Sequence, residues 1–468
     1  FESGVGDAIA DGLLRFSLAA HDMVLPDLRA STIEKLLKDA TDLSDDLREL
    51  LTVRLRASTA SVAKYKALLR SVSSDGRLRG MLQFCGAGRT GRWAGRLMQL
   101  QNLPRPAIAD LRDEALAAAI ELAIIAMKAD ALDLTGLPVM EAASAAIRGT
   151  IVAAIRMLLA VADLSNIEGR MLAWLAGETW KLKAFADYDR GKGSDLYKVT
   201  AGRMLGKPPE EITKLERQEI GKVTELAMGY EGGVGAFITF ATAFGIDLDD
   251  LARRARPNLS SSVLGEASAI WDWTKKKRRT TYGLEKETWI VIEAIKRTWR
   301  QAHEATQQLW KDLDKAARRA IDTGGKTFTA GPHLRVRRDG AWLRIILPSG
   351  RSLCYPSPKI TDKGEISYMG VHQYTRKWTR IKTYGGKLVE NVTQAAARDV
   401  LAEGMLLAEE HGFRVVLSVH DELLTEVPVG SNLNDEVLAE IMATNPSWAT
   451  GLPLAAAGFT SDRYKKEG

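Results

Sequence analysis

Apolar residues recur at helical spacing among many charges over residues 31–72, which predicts two or three helices. Residues 80–106 break that spacing with five glycines, four arginines and two prolines, and read as loop and short strand. A helical pattern returns over 108–131, rich in alanine. The apolar run 157–161 suits a buried strand, and 166–175 behind it is helical again. Residues 210–240 are mainly helical, interrupted by Gly232, Gly233 and Gly235. Further on, Trp289, Ile292, Ile295 and Trp299 fall on one face of a long helix, as core packing requires. Alternating and apolar runs flanking Asp339-Gly340 predict a hairpin within 328–355. A helix over 388–410 follows, then two apolar runs within 415–427 separated by His420-Asp421-Glu422. Helical blocks alternating with short strands predict an α+β protein, predominantly helical.

Composition changes this picture little. The 468 residues suffice for one large multi-lobed enzyme or about three ordinary domains. An excess of six basic over acidic residues permits a nucleic-acid partner without demanding one. The basic run 275–279 could follow a phosphate backbone but reads first as a solvated surface loop. Cys85 and Cys354 are the only cysteines, which argues against a disulfide framework or a zinc site and for a reducing compartment such as the cytoplasm. No apolar stretch is long enough to span a membrane. The chain starts at Phe1 with no signal-peptide pattern, consistent with a trimmed N-terminus.

Two aspartates stand where metal chemistry is at home. Asp163 ends the apolar run 158–163, and Asp421 sits in the turn between the runs 415–419 and 423–427. Strand ends and tight hairpins hold side chains as rigidly as a metal site needs. Mg²⁺ takes oxygen ligands and often binds through one or two carboxylates plus substrate phosphates. Two such ions about 4 Å apart activate an attacking hydroxyl and stabilise the leaving oxygen of an in-line phosphoryl displacement. Taken singly, either aspartate is better explained as a turn residue accepting backbone hydrogen bonds. Lys222, Leu226 and Tyr230 recur every four residues and share one helix face.

The company of these residues resembles the family A DNA polymerases, the DNA polymerase I family. Asp163-Leu-Ser-Asn-Ile-Glu168-Gly-Arg170 is similar to the first catalytic motif, and Lys222 with Tyr230 to the second. Val419-His420-Asp421-Glu422 is similar to the third, and the order along the chain is the family's. Thr90-Gly91-Arg92 and Leu100-Gln101-Asn102-Leu103-Pro104 match as well. The wording of Gly86-Ala-Gly-Arg-Thr-Gly-Arg-Trp and Gly229-Tyr-Glu-Gly-Gly is nearest to phage-type members. The resemblance runs from roughly Ala60 to the C-terminus.

That resemblance implies a right-hand fold with palm, fingers and thumb: residues 1–80 an N-terminal helical and thumb-like region, 81–177 the first part of the palm with an inserted helical segment about 105–150, 178–386 the fingers, and 387–468 the second part of the palm. It implies template-directed addition of deoxynucleotides to a primer 3′-hydroxyl by two Mg²⁺ ions, for which Mn²⁺ can substitute. Primer–template DNA and deoxynucleoside triphosphates are the implied partners, with no membrane and an accessory replication factor left open. Asp163 and Asp421 become the metal ligands, with the backbone carbonyl of Leu164 completing one shell and Glu422 a lesser candidate behind them. Lys222 would meet the triphosphate and Tyr230 the templating pair. Leu226 would influence discrimination at the sugar's 3′ position, and Glu168 would exclude a 2′-hydroxyl. Arg92, Gln101, Asn102 and Gln394 become minor-groove readers, donors able to test pair geometry without reading sequence. His420 would lie near the primer terminus, or pack at its turn. Phosphate contact and solvation are equal readings for Arg89 and Arg96.

The family places an Arg four residues before the Lys of its second motif. Here Gln218 stands there and Arg217 one residue earlier, which on an α-helix points about 100° away. Both are carried as nucleotide-binding candidates. Residues 1 to about 60 match poorly and hold no acidic set of the kind a proofreading exonuclease needs. The alternatives are an RNA-synthesising or reverse-transcribing relative, a catalytically silent nucleic-acid-binding protein, and a metal-dependent nuclease, which would leave Lys222 and Tyr230 unexplained.

Overall fold

The structure is a computed structural model that describes residues 32–33, 36–37, 43–57, 60–103, 106–373 and 375–465. The expectations for residues 1–31 and for Pro104 lie outside the described residues. The chain divides into two compact units, Phe1–Gln83 with Ala94–Ile155 and Ser461–Gly468, and Phe84–Trp93 with Arg156–Thr460.

In the first unit the helices Asp45–Ala57 and Ala60–Ser71 stand where the periodicity predicts them. The glycine-rich stretch gives two short strands, β1 (Leu82–Gln83) and β2 (Ala94–Gly95), paired antiparallel. The alanine-rich pattern becomes the helix Asp113–Lys128, which packs on Val139–Ala146. Small side chains allow that close approach: Ala119, Ala123, Ala142, Ala145 and Ala146 fill the seam under Ile108. The C-terminal segment returns to this unit, where Tyr464 N–H donates to Ile151 O at 2.9 Å and Arg148 Cζ lies 5.7 Å from the Tyr464 ring centroid.

The second unit is built on a four-stranded sheet. Its strand β3 (Met157–Leu164) is buried from Leu159 to Ala162, as a near-continuous apolar run demands. The chain turns at Ser165-Asn166, Asn166 taking a left-handed φ of 50°, and enters the helix Ile167–Ala176. Helices Thr179–Asp189 and Leu196–Leu205 follow. The 210–240 region divides into the short helix Lys214–Glu216, a π-helix Arg217–Lys222, the α-helix Val223–Met228 and the helix Val234–Ala243. The expected core face of the long helix is confirmed: Trp289, Ile292, Ile295 and Trp299 of Lys286–Ala302 are all buried. The basic run 275–279 begins in the last turn of the helix Ser261–Lys276 instead of a loop, where Lys275 and Lys276 oppose the helix dipole.

After the helix Glu304–Thr323 come two small sheets. The expected hairpin extends to four strands, β4 (Thr327–Ala330), β5 (Leu334–Asp339), β6 (Trp342–Ile346) and β7 (Ser352–Pro356). A second sheet, β8 (Lys359–Ile360), β9 (Ile366–Val371) and β10 (Trp378–Thr383), was not read from the pattern. The helix Gly385–Glu410 then packs on Ile167–Ala176, and β11 (Arg414–Val419), β12 (Glu422–Pro428) and β13 (Ala456–Ser461) complete the main sheet in the order β11-β12-β3-β13. The α+β, mainly helical expectation holds.

Candidate active site

The main sheet brings the two aspartates together. In the antiparallel register of β12 and β3, Glu422 pairs with Asp163. Asp421 precedes Glu422 in the two-residue turn from β11, made possible by a left-handed φ of 57° at His420. The backbones close on each other there, Leu164 N–H donating to Asp421 O at 3.1 Å. Asp163 is exposed, Asp421 partly so, and Glu422 is buried, so the first two face solvent and the third supports the turn from within. Buried Leu164 and exposed His420 flank the pair.

A cation already stands beside this pair. Arg92 Nη2 lies 3.6 Å from Asp421 Oδ1, and its Nη1 donates to Glu168 Oε1 at 2.8 Å. Glu168, in the first turn of the helix after β3, also accepts from Tyr230 Oη at 3.4 Å. Burial, then Glu168 and Glu390, push the Tyr230 hydroxyl well above its ordinary range, so it stays a donor. Asp421, Arg92, Glu168 and Tyr230 thus form one chain of polar contacts, drawn from four separate elements.

Each member is held from behind. Arg351 bonds the loop of Arg92 through Thr90 O at 3.0 Å and is itself fixed by Asp399 at 2.8 Å. Tyr230 lies in a turn just past the helix Val223–Met228, with Trp310 Nε1 donating to the Gly229 carbonyl at 3.0 Å. The start of the helix Gly385–Glu410 presses against it so closely that a Cβ on Gly386 would lie 2.5 Å from Tyr230 O. Farther along that helix, Glu390, Gln394 and Arg398 recur every four residues. Glu390 acts on Tyr230, and Arg398 lies over Trp93 at 4.3 Å, so half-buried Gln394 sits between them on the face toward Arg92. Gln101, Asn102 and Arg96 belong to the first unit, where Asn102 Nδ2 donates to Gln99 Oε1 at 3.0 Å. Arg89 is in the second unit and bonds Tyr368 of β9.

The nucleotide-binding candidates show the main departure from expectation. Because 217–222 is a π-helix, with hydrogen bonds from i to i+5, residues five apart stack where four apart would on an α-helix. The expected divergence of about 100° holds only for an α-helix, and on this π-helix Arg217 and Lys222 share a face. Arg217 Nε donates to Asp195 at 3.0 Å and its guanidinium covers the Tyr197 ring at 5.2 Å. Lys222 Nζ lies 4.9 Å from the Phe244 ring centroid. Gln218 is half-buried and Leu226 exposed.

One buried group near this helix was not singled out from the sequence. Glu225 ion-pairs with Lys181 and accepts from Thr200 at 2.8 Å, from Trp299 at 3.4 Å and from His303 Nε2 at 3.1 Å. Burial pushes its carboxyl up, but Lys181 and His303 outweigh that and hold it well below the carboxylate range.

Among the described residues no three His, Cys, Asp or Glu side chains group as a complete metal site. The donor set fits Mg²⁺ bound in part by substrate: two neighbouring acidic residues at a strand end and a hairpin, with a guanidinium beside Asp421 where cationic charge is favoured. No helix among them is long and apolar enough to cross a membrane.

Residues 24–246 match the family model described as DNA polymerase family A. A DNA polymerase of Bacillus phage SP02 is 34% identical over 474 residues, which cover 99% of this chain and 64% of that protein. Among solved structures, the POL domain of Pol1 from M. smegmatis, in complex with DNA primer-template and dNTP, has the same fold, with a TM-score of 0.55 at 18% identity over 97% of this chain and 64% of that one. The chain thus spans 64% of the length of each.

Proposed function

We propose that the chain is a member of DNA polymerase family A, whose model its residues 24–246 match, and that it extends a primer 3′-hydroxyl on a DNA template, consuming deoxynucleoside triphosphates and releasing pyrophosphate. The contact that carries the reading is Arg92, which joins Asp421 to Glu168 while Asp163 pairs with Glu422 across the strands. In this reading the main sheet with residues 81–177 and 387–468 is the palm, with an insert about 105–150. Residues 178–386 are the fingers and 1–80 the thumb-like region.

Asp163, Asp421 and the Leu164 carbonyl would hold two Mg²⁺ ions, which lower the charge barrier to the attack and stabilise the leaving oxygen. The remaining work falls to the protein's own side chains, and it is positioning and neutralisation. Lys222 and Arg217, on one face of the π-helix, meet the triphosphate. Tyr230 and Leu226 border the templating pair and the sugar. Glu168, braced by Arg92 and Tyr230, fills the space a 2′-hydroxyl would need. Arg92, Gln101, Asn102 and Gln394 donate to minor-groove acceptors, with His420 at the primer terminus and Glu422 supporting the turn. Such an enzyme works in the cytoplasm of a bacterial host if the chain is phage-borne.

Primer extension with Mg²⁺ by the wild type and by Asp421→Ala tests this. We expect loss of about 10³-fold or more in kcat with primer–template binding retained. Substantial extension by the variant would remove Asp421 from the metal site, and no extension by the wild type would sink the whole reading.

A further inference from the structure

The basic charge of the chain is concentrated in one segment. Residues 326–382 hold twelve Lys and Arg against three Asp and Glu, an excess of nine, whereas the full chain has an excess of six. The rest is net acidic. This segment comprises the two small sheets β4–β7 and β8–β10; Arg338 and Arg351 turn inward, to Ile321 O and Asp399, and much of the remaining charge lies on the outer faces.

Strand register sets those faces. In the first sheet Arg337 pairs with Arg344 and Asp339 with Trp342, and the alternate residues Val336, Leu343 and Ile345 are buried. In the second, Met369 pairs with Arg380, Val371 with Trp378, and Ser367 with both Lys382 and Lys359. The opposite face of that sheet packs inward through Tyr368, 4.9 Å from the Tyr355 ring. Ser357 joins the two outer faces: its N–H donates to Ala341 O at 2.7 Å, beside Trp342, and its carbonyl accepts from Arg380 Nη1 at 3.1 Å. Two of the three acids are spoken for, Asp339 by Arg337 and Arg344, and Glu365 by Lys382, while Asp362 sits exposed in the turn between β8 and β9.

Each face also leaves an indole in water, Trp342 at 43% exposure and Trp378 at 60%. Cationic side chains interleaved with exposed rings match the chemistry of an unpaired strand, whose phosphates seek charge and whose bases offer faces for stacking; a duplex hides those faces. Building on the polymerase reading, we propose that the adjoining outer faces of β4–β7 and β8–β10 bind single-stranded DNA, with bases on Trp342 and Trp378 and phosphates on the neighbouring Arg and Lys. The strand is the unpaired template ahead of the site, which every primer–template carries, whereas a displaced strand arises only where a duplex lies ahead.

Fluorescence anisotropy of the full chain on labelled primer–templates tests the assignment. Three substrates are compared: one with a minimal template overhang, one with an overhang of about twenty nucleotides, and one with a displaced flap of that length, each tail exceeding a single-strand site. The wild type should bind the substrate with the long overhang more tightly than the minimal one. A gain from the flap alone would overturn the assignment to template and point to a displaced strand. Trp342→Ala/Trp378→Ala should lose that gain, about five- to 150-fold per stacked base. Lys359→Ala/Lys377→Ala should lower the salt slope of tail binding by about 0.7 per phosphate contact removed. All variants should match the wild type in melting temperature and in extension of the minimal substrate. No gain from either tail overturns the proposal. So does a gain that survives in both variants, which would leave the faces to an acidic protein partner. Failure of the wild type to extend the minimal substrate would instead refute the polymerase reading.

Discussion

Removing Glu225 tests how the helix that carries Lys222 and Leu226 is held. Glu225 lies between Lys222 and Leu226 in sequence but turns into the core, where it neutralises Lys181, a cation only 1% exposed. Glu225→Gln keeps an acceptor for Thr200 and Trp299 but strands that ammonium, which costs about 3–5 kcal/mol. Lys181→Met should cost a similar amount by stranding the carboxylate. The double variant buries no lone charge and should cost only about 1 kcal/mol, because a neutral pair of similar volume replaces a buried ion pair without penalty. Urea unfolding followed by circular dichroism, with unchanged slope and shifted midpoint, measures all three. Costs that add to within about 0.5 kcal/mol would refute the coupling. The pH dependence has a definite sign. Since the folded carboxyl titrates below its ordinary value of 4.5, its stabilisation is complete above that value and is lost as pH falls through the folded pKa. The gap between wild type and Glu225→Gln should therefore shrink on acidification below about pH 4. In extension assays, Glu225→Gln should raise KM for the deoxynucleotide more than it lowers kcat, as expected when a binding side chain is displaced.

Two further outcomes follow from the site. Glu168→Ala should raise ribonucleotide use relative to deoxynucleotide by about tenfold or more, equal to about 1.4 kcal/mol of lost discrimination; equal ratios in variant and wild type would remove Glu168 as the gate. Arg217→Ala should raise KM for the deoxynucleotide about tenfold or more, since a charged hydrogen bond contributes about 1.5–3 kcal/mol. Gln218→Ala should change it less than twofold on this reading, and the reverse ranking would restore α-helical register as the better guide.

Much of this was legible in the sequence because it rests on short-range patterns. Asp163 and Asp421 stood out where apolar runs ended, and the strand and hairpin formed there. Two things were not legible. Arg92 meets Glu168 across 76 residues and Tyr230 meets Glu168 across 62, and no local pattern encodes such convergence. The hairpin of β9 and β10 was missed although Trp378-Thr-Arg-Ile-Lys-Thr alternates, because two of its three outer positions are cationic and two of its three inner ones are threonines, giving little apolar signal. Gly221 in the π-helix answers to packing, since a Cβ there would collide with the Tyr197 carbonyl.

That wide turn bears on how such a chain can change length. A surplus residue in a packed α-helix rotates everything after it and would drag Lys222 and Tyr230 out of place together. Confined to Arg217–Lys222, the surplus is absorbed within six residues, and both flanking segments keep their seats. A helix built this way can lose its surplus residue at its middle without turning its two ends relative to each other. Chains of unequal length can thus keep the same residues on the same helix faces.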